Sequence, residues 1–120
     1  MEPKRAAPDA STAPIWTDLC PLDQVATGRG HYVRCAGLDL AVLRLDERQV
    51  AVMANRCPHA GGSLAGGWIE DDCVICPLHR WAFQVRNGRC PDATHIGVPT
   101  FPARVRNGWV QAQLDRVQDP

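Results

Sequence analysis

Paired turn residues punctuate this chain at intervals too short for helices. Asp71-Asp72 parts GWIE (67–70) from CVIC (73–76), and Asn107-Gly108 parts ARVR (103–106) from WVQAQL (109–114). Asn87-Gly88 follows WAFQV (81–85). Asn and Gly enter the positive-φ region at little steric cost, so each Asn-Gly pair predicts a type I′ hairpin. HYVRC (31–35) and LAVLRL (40–45) are separated by Gly37 and Asp39, and the polar DERQ (46–49) turns the chain into VAVMA (50–54). Strands of alternating character, with turn signals about every eight to twelve residues, predict an all-β, mostly antiparallel sandwich or barrel. Helical signals are thin: PLDQVATG (21–28) allows one short turn, with Pro21 early and Gly28 as a stop.

The chain has 120 residues, enough for one domain. Its opening MEPKRAAPDASTAP shows no apolar period and cannot bury enough surface to offset its ordering entropy, so residues 1–14 are expected to form a loose tail. The folded domain is expected over 15–114, and the polar DRVQDP (115–120) forms a C-terminal tail. Basic and acidic residues balance at 13 each, without basic–aromatic interleaving, which argues against a nucleic-acid partner. Lys4 and Arg5 are too few for a membrane-surface patch. No apolar run approaches the roughly 18 residues of a membrane span, and no signal-peptide segment opens the chain. The expectation is a cytoplasmic protein with no membrane partner.

A reducing compartment bears on the six cysteines, because clustered Cys and His there indicate a metal site rather than disulfides. Cys20, Cys35, Cys73 and Cys90 stand outside any cluster and are expected to be small, half-buried thiols. CPHAGGSL (57–64) and CPLHRWAF (76–83) are different, because each places a Cys and a His close together just after a strand. The pattern is Cys57-x-His59, sixteen residues, then Cys76-x-x-His79. Two loops leaving neighbouring strands could present these four side chains together. Thiolates are soft donors and imidazole a borderline one, so the set suits zinc or iron–sulfur chemistry rather than calcium or magnesium. A structural zinc site is one reading, although zinc fingers pair Cys with Cys and His with His in their short spacings. Buried thiols and satisfied histidines with no metal are another, leaving a docking or structural module. The third is a 2Fe–2S cluster in which two Cys hold one iron and two His the other.

Across roughly Trp16 to Leu114 the sequence resembles the Rieske family, on C-x-H, the intervening gap and C-x-x-H, with CPHAGGSL and CPLHRWAF in order. The resemblance implies a Rieske-like fold whose cluster-binding subdomain is formed by the two loops. By resemblance Cys57 and Cys76 would bind the inner iron and His59 and His79 the outer one. Replacing two thiolates by neutral imidazoles makes such a cluster less negative and lifts its potential above the roughly −400 mV of plant-type ferredoxins. Gly61 and Gly62 can bring backbone N–H groups close to a cluster, or simply make a tight turn. Cys90-Pro91-Asp92-Ala93 occupies the place of the family's third, shielding loop; a surface turn is the alternative. Trp81 and Phe83 are expected to pack beneath the second loop.

Rieske subunits of quinol-oxidising complexes carry an extra Cys in each loop, joined as a disulfide; the corresponding positions here are Gly62 and Leu78. Their hydroxyl donors after the second His correspond to Trp81 and Phe83, which have none. Fewer donors to a reduced cluster imply the low end of the Rieske range, about −150 to 0 mV. WTDLCPLDQV, NRCPHAGGSLAGG and GRCPDATHIGVPTFPARV resemble both stand-alone Rieske ferredoxins and the small subunit of NAD(P)H-dependent nitrite reductase. The first implies a one-electron carrier between a reductase and a terminal oxidoreductase such as a ring-hydroxylating oxygenase. The second implies a partner of a large nitrite reductase chain. No G-x-G-x-x-G and no catalytic base is evident, so the chain reads as an electron-transfer component rather than a catalyst by itself. His31 and His95 lack ligand company, and Trp16 is the tryptophan expected first at an interface.

Overall fold

The computed structural model describes residues 15–58, 61–78, 80–93 and 95–120. The loose-tail expectation for 1–14, and the histidines at 59 and 79, lie outside the described residues. Among the described residues ten strands follow one another: β1 (Thr17–Pro21), β2 (Gly30–Cys35), β3 (Leu38–Arg44), β4 (Val50–Ala54), β5 (Trp68–Glu70), β6 (Cys73–Ile75), β7 (Ala82–Gln84), β8 (Thr100–Phe101), β9 (Ala103–Arg106) and β10 (Trp109–Ala112). They form three sheets, ordered β1-β10-β9, β2-β3-β4-β8 and β5-β6-β7, and every pairing is antiparallel. Single 3-10 turns at Leu22–Gln24 and Leu64–Gly66 are the helical elements among these residues.

The apolar run of β3 places the second sheet in the middle. Leu40, Ala41, Val42 and Leu43 are all fully buried, as expected of a strand covered on both faces. Side chains alternate across a strand, so Leu40 and Val42 face one way and Ala41 and Leu43 the other. Leu40 and Val42 join Cys20, Val52, Phe101, Val110 and Ala112 in a core shared with the first sheet. Ala41 and Leu43 join Met53, Val74, Phe83, Cys57 and Cys76 in a second core shared with the third sheet. Both cores therefore lean on the same strand.

The turns sort the sequence signals by their surroundings. Asp71 and Asp72 have φ of 50° and 62°, and Asn107 and Gly108 of 53° and 77°, so both are type I′ hairpins as their residues dictate. Asn87-Gly88 is not. Gly88 alone is left-handed, at φ 76°, and the loop is closed by Gln84 N donating to Arg89 O (2.8 Å) and Gly88 N donating to Gln84 O (2.7 Å). The Asn87 side chain instead accepts the N–H of Arg89 at 2.9 Å. A Cβ on Gly88 would fall 1.9 Å from the carbonyl oxygen of Val98, so glycine is demanded by packing as well as by φ. The β2–β3 turn sits at Ala36-Gly37 (φ 53° and 78°), and Asp39 belongs to the strand rather than to the separator.

Long-range hydrogen bonds hold the rest. Arg44 donates to the carbonyls of Leu22 (3.3 Å), Val25 (3.1 Å), Asp46 (3.1 Å) and Glu47 (3.0 Å), tying the first connection to the β3–β4 turn. Residues 115–120 pack back on the domain: Gln118 exchanges backbone bonds of 2.8 and 2.9 Å with Thr100, and Pro120 lies against Gly97. Trp16 lies beneath the guanidinium of Arg104, 4.1 Å from Cζ to ring centroid, and the more exposed tryptophan is Trp109.

Candidate metal centre

VAVMA ends at Ala54 and delivers Cys57 to the head of a loop; β6 ends at Ile75 and delivers Cys76 to another. In the first, Cys57 N donates to Gly62 O at 2.8 Å and Gly61 N donates back to Cys57 O at 2.7 Å. In the second, Cys76 N donates to Trp81 O at 2.8 Å and Arg80 N donates back to Cys76 O at 3.1 Å. The residue four positions after each cysteine is left-handed: Gly61 at φ 72° and Arg80 at φ 60°. Both loops begin Cys-Pro, and proline suits a place where no backbone N–H is required.

The two cysteines meet. Both are fully buried, they belong to one core cluster, and the Cys57 thiol is near enough to act on that of Cys76. Burial pushes the Cys76 thiol up, the backbone N–H of Leu78 pulls it down by donating to the sulfur, and the neighbouring Cys57 sulfur raises it again. Two buried thiols crowded together at a place supplied with a backbone donor suit a metal group that displaces their protons and takes their negative charge. Gly62 keeps that space open: a Cβ there would stand 3.1 Å from Cys76 Sγ and 3.0 Å from Leu78 Cδ1. Gly62 and Leu78 thus bring the two loops into contact. Phe83 and Val74 close the floor, fully buried, and Trp81 is packed half-buried against the same cluster.

Asn55 is the residue that motif reasoning passed over. Its Oδ1 accepts the N–H of Ala65 at 2.8 Å, its Nδ2 donates to Ser63 Oγ at 3.0 Å, and its backbone carbonyl accepts Leu64 N at 2.8 Å. It thereby clamps the far end of the first loop to its start. Its place just before Arg56-Cys57 was the available signal, but the bonds it makes are read only from the folded chain.

Among the described residues no group of three or more metal-binding side chains converges; His59 and His79 are not among them. All six cysteines are free: Cys20 and Cys90 are buried, and Cys35 and Cys73 half-buried. Cys90 belongs to the same core as Cys57 and Cys76, and its loop is closed by Ala93 N donating to Cys90 O at 3.3 Å. His31 lies in β2, and His95 is exposed in a turn.

The chain matches the model of the Rieske [2Fe-2S] domain over residues 15–102. It is 34% identical over 107 residues to the anthranilate 1,2-dioxygenase ferredoxin subunit of Burkholderia cepacia, covering 87% of this chain and 96% of that one. A solved structure named as the small subunit of an NADH-dependent nitrite reductase from Mycobacterium tuberculosis superposes with a TM-score of 0.76 at 32% identity, over 83% of this chain and 95% of that one. A cholesterol 7-desaturase of Drosophila melanogaster is 33% identical over 106 residues, but there the chain spans only 23% of the longer protein. Across five cholesterol 7-desaturases that it matches, it spans 17% to 24% of their length.

Proposed function

This chain belongs to the Rieske [2Fe–2S] family, and from that premise we propose that it is a one-electron carrier holding a Rieske-type 2Fe–2S cluster on Cys57, His59, Cys76 and His79. The observation that carries the proposal is the pair of fully buried thiols, brought into one core cluster by two loops with the same closure. Bound there, the cluster supplies a one-electron couple, raised by its two imidazole ligands above that of an all-thiolate cluster. The chain's own residues do the rest. The Leu78 N–H stabilises negative charge on the Cys76 sulfur. Gly62 leaves room beside that sulfur, and Val74 and Phe83 exclude water from below. Trp81 and Phe83 bring no hydroxyl to the site, which supports a potential near the low end of the range, about −150 to 0 mV.

The partners are redox proteins. Near-complete coverage of a dioxygenase ferredoxin subunit supports a reductase as donor and a terminal oxygenase as acceptor. The 0.76 TM-score at 32% identity supports a second reading, the small subunit of a nitrite reductase. No helix among the described residues is long and apolar enough to cross a membrane, and the proposal places the carrier in the cytoplasm.

Anaerobically purified protein should contain iron and acid-labile sulfide in equal amounts and, once reduced, give an electron paramagnetic resonance signal of low average g. Cys76→Ala should abolish both. Zinc in place of iron, or an all-thiolate type of spectrum, would overturn the proposal. Gene neighbours and co-purification separate the two partner readings.

A further inference from the structure

Basic and acidic residues balance at 13 each over the whole chain, so any field at one end of the molecule is local. The end bearing the two cysteine loops carries two guanidiniums. Arg56 directly precedes Cys57, and its guanidinium runs along the first loop: Nη2 lies 3.5 Å from where a Cβ on Gly61 would stand. Arg80 closes the second loop from an exposed, left-handed position, its Cζ 5.5 Å from the centroid of the Trp68 ring. Neither guanidinium is paired with a carboxylate among the described residues. Leu78, 47% exposed, rests on Gly62 beside them. Two carboxylates face this end from neighbouring elements. Glu70 accepts the indole N–H of Trp68, and Asp92 lines with Arg80 a cavity of about 360 Å³ between the second loop and the Cys90 loop.

From this arrangement we infer that the cysteine-loop end is a cationic docking surface, fitted to a redox partner whose own contact surface is acidic. The inference rests on the electron-carrier reading above. Each loop contributes one arginine without a carboxylate partner among the described residues, so an acidic partner is drawn to the end where the two cysteines meet. Charges of this kind set encounter rate and orientation more than the strength of the final complex. The exposed Leu78 supplies the apolar contact that a charged rim surrounds in a typical interface.

Simple inorganic probes read this surface without the natural partner. Reduced protein is mixed at low ionic strength with ferricyanide, an anionic oxidant, and with tris(phenanthroline)cobalt(III), a cationic one. The ratio of the two rate constants should fall about tenfold in the R56Q/R80Q double variant, the lower end of electrostatic steering. The difference should vanish at about 1 M salt, where the Debye length is about 3 Å. An unchanged ratio in a variant that keeps its paramagnetic resonance signal overturns the surface alone. A wild-type protein without that signal overturns the electron-carrier reading and the surface with it. Hexacyanochromate(III), which is redox-inert, gives a readout that needs no electron transfer. It should broaden the Trp68 indole resonance of the wild type and spare it in the double variant, and the absence of that broadening in the wild type also overturns the surface.

Discussion

The two cysteine loops share one backbone closure and differ in what occupies its left-handed seat. Loop 57–62 seats Gly61 there, with the Arg56 guanidinium lying across it and Asn55 clamping its far end. Loop 76–81 seats Arg80, which accepts an unfavourable φ and puts a cation over Trp68. A third loop, 84–89, repeats the closure with Gly88 in the seat and carries no candidate ligand. The closure is therefore generic, a way of ending a short antiparallel pair. The chemistry comes from a Cys-Pro start and from the burial that brings two sulfurs together.

That comparison can be broken or sharpened by substitution, from the largest expected effect downward. Gly88→Ala should cost about 3 kcal/mol or more in urea unfolding, because φ and the Val98 carbonyl both oppose a Cβ. Gly61→Ala faces the same φ, but nothing stands closer than 3.5 Å, so about 1 kcal/mol is expected. Equal losses at the two sites would show that the seat, not its surroundings, sets the cost. Asn55→Ala should lose about 2 kcal/mol and release iron faster to a chelator, since both side-chain bonds across the first loop go at once. Arg80→Gly should gain less than about 1 kcal/mol, backbone relief being offset by the lost contact with Trp68. Arg80→Ala should gain nothing, because alanine keeps the strain.

The smallest effect concerns pH and lies away from the loops. Burial raises the Cys20 thiol above its usual 9.0, so the unfolded chain gives up that proton first. The stability it contributes is present below pH 9.0 and is lost as pH rises through the higher folded value. Urea midpoints measured from about pH 8 to about pH 10 should fall less steeply in Cys20→Ala than in wild type. Parallel slopes would assign the alkaline loss elsewhere.

Much of this architecture is legible in the residues. VAVMA is β4 from end to end, and Asp71-Asp72 and Asn107-Gly108 make the turns their chemistry favours. Asn87-Gly88 misleads because its local signal matches theirs while a distant carbonyl decides how the loop closes. β1 and the two-residue β8 leave little period to read, because TDLCP is a strand through its pairing with β10 and Thr100–Phe101 through pairing with β4. At the site, Cys57 and Cys76 are visible as a spaced pair. The work of Asn55 and the contact between Gly62 and Leu78 are not, because both are made between segments that only the fold brings together.

The middle strand carries a consequence for anyone rebuilding this molecule. Ala41 and Leu43 are the reverse side of the same four residues that present Leu40 and Val42 to the base of the protein. A graft that lifted the cysteine hairpins onto another frame would leave half of their lining behind, and a repair to the base would be felt at the sulfurs. Cysteine-loop end and foundation are a single inheritance, separable on paper but not in a refolding tube.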